Sequence, residues 1–162
     1  MSSKPPKVGI QLGKINLNKF SAIALGVPQK NQKAKLPNSP LIKGIEKDFG
    51  VNLAAELMKW PDYIAKSGEI IEIPIATGNK GLIRIYLVGV GESKRDDYRK
   101  AGISIARKVK GSGQQVALAV VENRLFIENF VTSLILASYV WNQKTPKKDE
   151  KGAAEFVFIE KG

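Results

Sequence analysis

Residues 82–111, LIRIYLVGVGESKRDDYRKAGISIARKVKG, decide the fold because a buried strand, a glycine-containing turn and a helix follow one another directly. Residues 82–88 are apolar apart from Arg84, which predicts a strand covered on both faces. Arg84 is expected at a strand end or paired with Glu72 on a neighbouring strand. Residues 94–110 place apolar side chains at helical spacing, with acids in the first turn and bases in the last.

The elements on either side of this stretch follow from turn residues and periodicity. Ser93 is predicted to cap the central helix, with Asp96 completing a capping box, and Pro74 predicts an edge strand or an irregular strand end. The order of elements predicts a three-layer αβα fold with a mixed, mostly parallel central sheet and an antiparallel pair possible at one edge. Strands are predicted over 8–16, 21–28, 69–76, 115–121 and 154–159, helices over 40–49, from 53 to 58 and over 125–142, and a polar loop over 29–38.

The composition limits the chemistry that the chain can perform. A length of 162 residues with 43% hydrophobic residues predicts a single domain with a sizeable core. The chain has no cysteine and no histidine, which excludes disulfides, thiolate or histidine metal sites and a serine–histidine–aspartate triad. Two pairs of acids, Asp96 with Asp97 and Asp149 with Glu150, are neighbours in sequence, so we interpret both as solvated charges.

The net charge of +11 is concentrated near the N-terminus, because residues 1–40 carry seven lysines and no acid. Contact with nucleic acid is one hypothesis. We favour a solvated loop, because residues 30–35 contain no aromatic side chain and no arginine, and nucleic acid is not an expected partner. The longest uncharged stretch, 129–143, is 15 residues long, shorter than the ~20 that span a bilayer. A cytoplasmic protein without a targeting segment or a membrane contact is expected.

The turn after the central strand is where α/β folds bind phosphates. The match to a dinucleotide fingerprint is incomplete, because Lys94 stands where a third glycine belongs. Glu92, Asp96 and Asp97 also use the positive end of the helix and would repel a phosphate. We favour a plain turn, and no catalytic or metal-binding residue is predicted. The candidate binding residues are Gly89, Gly91 and Ser93.

Four segments, in order and spacing, resemble the N-terminal domain of the leucyl aminopeptidase family, the cytosolic di-metal aminopeptidases. The resemblance covers most of residues 8–160 and is strongest from 53 to 146. The segments are 53–58 (LAAELM) followed by Gly68-Glu69, 87–92 (LVGVGE), 98–102 (YRKAG) and 136–139 (LASY) followed by Lys144.

The resemblance implies a macro-domain-like fold for residues 1–162, with the catalytic C-terminal domain absent. It implies a non-catalytic domain with a role in assembly or regulation. The parent enzyme would remove N-terminal amino acids from peptides, using two divalent metals (zinc or manganese) in that other domain. The implied partners are the protein's own catalytic domain and further copies in a hexamer. The family's metal-binding motif has no counterpart here, so no catalytic residue is carried over.

Two alternatives remain open on the sequence alone. The chain could be a stand-alone module that binds ADP-ribose or a related nucleotide near residues 89–93. It could also contact nucleic acid through its lysine-rich first 40 residues.

Overall fold

The computed structural model describes residues 7–11, 19–77, 81–120, 124–142 and 154–159. A six-stranded sheet and four helices make up most of these ranges, together with a two-stranded hairpin and a 3-10 turn at Arg124–Phe126. The strands are β1 (Lys7–Gln11), β2 (Ala22–Val27), β3 (Gln29–Lys30), β4 (Lys33–Ala34), β5 (Ile70–Thr77), β6 (Gly81–Gly89), β7 (Gln115–Ala119) and β8 (Glu155–Ile159). The helices are α1 (Pro40–Phe49), α2 (Leu53–Met58), α3 (Arg95–Lys108) and α4 (Ile127–Asn142).

The large sheet has the strand order β1-β8-β7-β2-β6-β5. All neighbouring strands are parallel except β5 and β6, which are antiparallel at one edge. This confirms the predicted mixed, mostly parallel sheet. Glu72 on β5 and Arg84 on β6 form an ion pair with an N···O distance of 3.1 Å, which confirms the pairing expected from the sequence.

Pro74 lies on the edge strand β5, as the sequence predicts. It is paired in register with Arg84 of β6. The Arg84 N–H points away from β5 and donates to the carbonyl of Ser21 at 3.1 Å. Pro74 therefore occupies a position whose missing N–H would have faced away from the sheet. A proline there removes a donor from the free edge, which hinders pairing with another strand.

Helices cover both faces of the sheet, and this confirms the three-layer arrangement. Alternate residues of the central strands point to opposite faces. Tyr86 and Val88 of β6 join the core that also contains residues of α3 and α4. Ile85 and Leu87 join the core that also contains residues of α1 and α2. None of the described helices combines the length and apolar character that crossing a membrane requires.

The first two helices begin where the sequence predicts. Ser39 Oγ accepts a hydrogen bond from the Ile42 N–H at 3.3 Å, and Asn52 Oδ1 accepts one from the Ala55 N–H at 3.0 Å. Each cap satisfies a backbone donor that the helix itself leaves unpaired.

Helix α3 begins one residue later than predicted. Its N-cap is Lys94 rather than Ser93, and the carboxylate of Asp97 accepts the Lys94 N–H at 2.9 Å. Ser93 has a φ of 62°, which is left-handed, whereas an N-cap residue has extended backbone. The acid that closes the box is therefore Asp97 and not Asp96.

The prediction of a polar loop over residues 29–38 is wrong for its first half. Gln29–Lys30 and Lys33–Ala34 pair as an antiparallel hairpin around Asn31 and Gln32. Both turn residues have positive φ, 52° and 60°, as a two-residue type I′ turn requires. The usual sequence signal for this turn is Asn-Gly, and glutamine at the second position hides it.

Helices α3 and α4 approach closely at Gly102. A Cβ added at Gly102 would lie 2.8 Å from the carbonyl oxygen of Phe130 and 3.3 Å from the Leu134 nitrogen, and it would also overlap Ser133 Oγ. The missing side chain of Gly102 therefore sets the distance between the two helices.

We expect Gly102→Ala to lower the free energy of unfolding by about 1–3 kcal/mol, because the backbone of α4 must move. Gly44→Ala in α1 is the matched control, since a Cβ there meets nothing within 4 Å. The control should gain about 0.5–1 kcal/mol from better helix propensity. Urea unfolding of both variants measures the difference. If the free energy of unfolding rose in both variants or fell in both, the close packing at Gly102 would be contradicted.

Candidate functional site

The turn between β6 and α3 holds all three candidate binding residues, Gly89, Gly91 and Ser93. It lies at the carboxyl ends of the parallel strands β2 and β6, where open α/β sheets bind ligands. A depression of about 410 Å³ lies beside it. Ligand pockets are lined mostly by apolar and aromatic side chains, and this one is polar. Its lining residues are Gln29, Lys66, Ser67, Gly91, Glu92, Lys94, Asp96 and Asp97.

The backbone N–H groups of the two turn glycines already have partners. They bond to residues 63–69, which precede β5 and are called the crossing segment below. The Gly89 N–H donates to the carbonyl of Glu69 at 2.7 Å, and the Gly91 N–H donates to the carbonyl of Ala65 at 3.0 Å. The Gly68 N–H in turn donates to the Gly89 carbonyl at 2.9 Å. The crossing segment thus takes the glycine donors that a phosphate would need.

The donors between and after these glycines are also engaged. The Val90 N–H donates to the carbonyl of Val27 at 3.0 Å, and the Ser93 N–H donates to the Val90 carbonyl at 2.8 Å. The Lys94 N–H is held by Asp97, as described above. These bonds stabilise the turn, so its geometry does not depend on a bound ligand.

Side chains hold the crossing segment onto the sheet. The hydroxyl of Tyr63, which is buried, donates to the carbonyl of Leu87 at 3.1 Å. Oε1 of Glu69 accepts two backbone N–H groups of the same segment, those of Ile64 (2.8 Å) and Ala65 (3.1 Å). Ala65 is fully buried with a φ of 60°. A left-handed alanine is costly, so the surrounding contacts must hold it in this conformation.

Gly89 is required for this contact. A Cβ added at Gly89 would lie 2.6 Å from the carbonyl carbon and 2.8 Å from the carbonyl oxygen of Ala65, and it would overlap the carbonyl oxygen of Lys66. The glycine therefore admits the protein's own backbone, which fills the place that a bound group could otherwise take.

Basic neighbours neutralise two of the acids beside the turn. The ammonium of Lys94 lies 2.7 Å from Oε2 of Glu92, and its hydrogen bond and charge lower the pKa of that carboxyl. The guanidinium of Arg99 lies 2.7 Å from Oδ1 of Asp96 and lowers its pKa through a hydrogen bond, with a smaller contribution from Lys100. Carboxylates with lowered pKa values stay ionised at neutral pH and are poor proton donors.

These acids do not fit a pair of divalent metals. Asp97 caps the helix, and Glu92 and Asp96 form ion pairs with Lys94 and Arg99. Nowhere in the described ranges do three or more acids lie together in a group that could hold a metal ion. Asp149 and Glu150, the other predicted pair, lie outside the described residues. The two metals implied by the resemblance therefore find no suitable donor set in the described part of the chain.

Sequence reasoning located the turn and missed the segment that covers it. Tyr63 and Ala65 belong to an irregular stretch without periodicity, so no pattern marks them. Glu69 is predicted only as the start of a strand, and Gly68 signals a turn before it, which its φ of 87° confirms.

Fold and turn together define a three-layer α/β domain in which the protein's own backbone lies against the carboxyl end of β6. The profile of the cytosol aminopeptidase family, N-terminal domain, matches residues 24–147. The chain belongs to this family, within the part that forms its N-terminal domain. No curated protein matches the chain.

One solved structure supports the fold, and a second is only a weak match. A mutant of tomato leucine aminopeptidase is similar with a TM-score of 0.63 and 23% identity, and the match covers 98% of this chain and 33% of the tomato chain. The chain thus spans about a third of that structure. The bottromycin maturation enzyme BotP in complex with Mn is also matched, with a TM-score of 0.47, 11% identity and coverage of 88% and 27%.

Tyr63 in the crossing segment should make the stability of the folded chain depend on alkaline pH. Burial raises the pKa of Tyr63, and the charge of Glu69 raises it further. The folded chain therefore keeps the phenolic proton above about pH 10, where the unfolded chain releases it, so wild-type stability falls as the pH rises. Tyr63→Phe should cost about 1 kcal/mol at neutral pH through the lost hydrogen bond. As the pH rises above about 10, the free energy of unfolding of Tyr63→Phe should then fall by less than that of the wild type.

Urea unfolding at neutral and alkaline pH measures whether the difference in stability between Tyr63→Phe and the wild type shrinks as the pH rises. Tyr86→Phe is the matched control for hydrogen exchange alone, because the Tyr86 hydroxyl bonds to Gln114 Oε1 at 3.1 Å, away from the crossing segment. It is no control for the pH dependence, because burial raises the pKa of Tyr86 too. Hydrogen exchange should become faster in residues 63–69 for Tyr63→Phe and remain unchanged there for Tyr86→Phe. Equal exchange in the two variants would show that Tyr63 does not hold the segment.

Proposed function

We propose that the chain is a non-catalytic domain of a larger cytoplasmic metalloaminopeptidase, with a role in assembly or regulation. The parent reaction is the removal of N-terminal amino acids from peptides. The two divalent metals, zinc or manganese, belong in this proposal to a separate catalytic domain, which is the domain's partner. The assembled enzyme is a homo-oligomer, a hexamer by resemblance to the family.

One observation carries the proposal: the crossing segment lies against the carboxyl end of β6 and takes the N–H groups of Gly89 and Gly91. The backbone around Ala65 lies where a side chain on Gly89 would stand, and the glycine N–H groups bond to it. A domain whose glycine turn is bonded to its own backbone is suited to a structural role. Family membership and the one-third coverage of the tomato structure support the same proposal.

The acids near the turn support it further. A carboxylate that acts as a general acid needs a pKa close to the working pH, and one that binds a catalytic metal needs its oxygens available to it. Lys94 and Arg99 instead lower the pKa values of Glu92 and Asp96. The same contacts give no support to an ADP-ribose module, since the turn has no free glycine N–H to offer a diphosphate.

We expect the purified chain to release no p-nitroaniline from leucyl-p-nitroanilide, with or without added manganese or zinc. The reason is that the described residues contain no group of acids that could hold a metal ion, and that Glu92 and Asp96 beside the turn are paired with Lys94 and Arg99. Absorbance of the released product measures the rate, and a complete leucine aminopeptidase under the same conditions is the positive control. Turnover that rises with the chain's concentration and stops on chelation would refute a non-catalytic role.

A further inference from the structure

The hairpin formed by β3 and β4 carries a concentrated positive charge. Lys30 and Lys33 stand directly opposite each other in register, and Lys35 follows at the base. All three side chains are exposed. None of the three ammonium groups has an ion-pair partner within the ranges the structure describes. The hairpin therefore presents three unneutralised cations on one short element.

This arrangement is locally unfavourable. Like charges directly opposite on paired strands repel each other. The turn adds a second cost, because Gln32 has a φ of 60° in a position that glycine fills more easily. A threonine or glutamate in place of one lysine, or a glycine in place of Gln32, would make a more stable hairpin. Such costs are tolerated where the exposed groups serve a purpose.

The base of the hairpin is attached to the turn after β6, so the backbone that carries the three lysines is held in place. The Gln29 N–H donates to the carbonyl of Gly91 at 2.8 Å, and the Lys35 N–H donates to the carbonyl of Pro28 at 2.9 Å. Ala34 is half-buried against the core on the α1 side of the sheet. A rigid element loses little conformational entropy on binding.

We propose that this hairpin is a docking site for a carboxylate-rich surface of another protein or domain. Residues 29–35 contain no aromatic side chain to stack on a base and no arginine to grip a phosphate or guanine. The tip residues, Asn31 and Gln32, are polar and exposed, so nothing there inserts into a lipid layer. Lysine point charges beside amide groups suit carboxylates, which the ammoniums neutralise and the amides can hydrogen-bond. The proposal does not depend on any aminopeptidase activity of the parent enzyme.

The test compares two triple variants of the 162-residue chain that lose the same charge at different places. K30Q/K33Q/K35Q removes the hairpin cations, and K43Q/K47Q/K108Q removes three exposed lysines of α1 and α3. Fluorescence anisotropy at low salt measures binding to a dye-labelled oligo-glutamate peptide. The hairpin variant should bind about tenfold more weakly than the wild type, the sum expected of three exposed charge pairs. The control variant should stay within about twofold, since only long-range attraction changes.

A second measurement locates the contact. Carbodiimide coupling of the peptide's carboxylates should form amide links at Lys30, Lys33 or Lys35, identified by mass spectrometry. Thermal unfolding should show the hairpin variant at least as stable as the wild type, because a repulsive pair is gone. Equal weakening of both triple variants, or links scattered over α1 and α3, would overturn the proposal. Stronger hairpin-dependent binding to duplex DNA or to phosphatidylserine vesicles than to the peptide would also overturn it.

Discussion

The close approach of two backbone segments at Gly89 is the constraint on which the carboxyl edge of this domain depends. Without a side chain at that position, the carbonyls of Ala65 and Lys66 lie directly against the last residue of β6. Backbone hydrogen bonds between Gly89, Glu69 and Gly68 then join the crossing segment to the strand. An added methyl group would separate them, and the bonds could not form together.

Other features of the edge follow from this contact. Once the crossing segment lies over the strand end, Tyr63 is buried and its hydroxyl needs an internal acceptor, which the Leu87 carbonyl provides. Glu69 satisfies the two N–H groups that the bend at Ala65 leaves unpaired. The helix that follows begins with its own acids capping it, so its positive end is partly neutralised without a ligand. Hydrogen-bonding capacity at this edge is thus largely used within the protein.

The layers of the fold could be predicted from the sequence because their signals are local. Apolar periodicity marks β6 and α3, and Ser39 and Asn52 mark helix starts through caps that bond only three residues away. The ion pair between Glu72 and Arg84 could be anticipated because each interrupts an otherwise apolar strand. Neighbouring strands then bring them together.

The candidate site could be predicted only in part. The turn is visible as a pair of glycines after a buried strand, but what covers it depends on contacts between residues about 20 positions apart in sequence, such as Tyr63 with Leu87. No periodicity records such a contact. The hairpin escaped prediction for a different reason, since its turn uses Asn31 and Gln32 in a conformation that normally calls for glycine. Tertiary packing, which the sequence pattern does not express, decided the first case, and unusual turn residues decided the second.

The measurement that tests this account most directly is a titration of the chain with ADP-ribose, followed by the amide NMR signals of residues 63–69 and 89–93. If the protein's own backbone fills the carboxyl edge, these signals should not move up to millimolar ligand, because no glycine N–H is available to the diphosphate. Inorganic phosphate should leave them equally unchanged. Concerted, saturable shifts of the Gly89 and Gly91 signals at micromolar ADP-ribose would show that the segment yields to a ligand. That result would contradict the account.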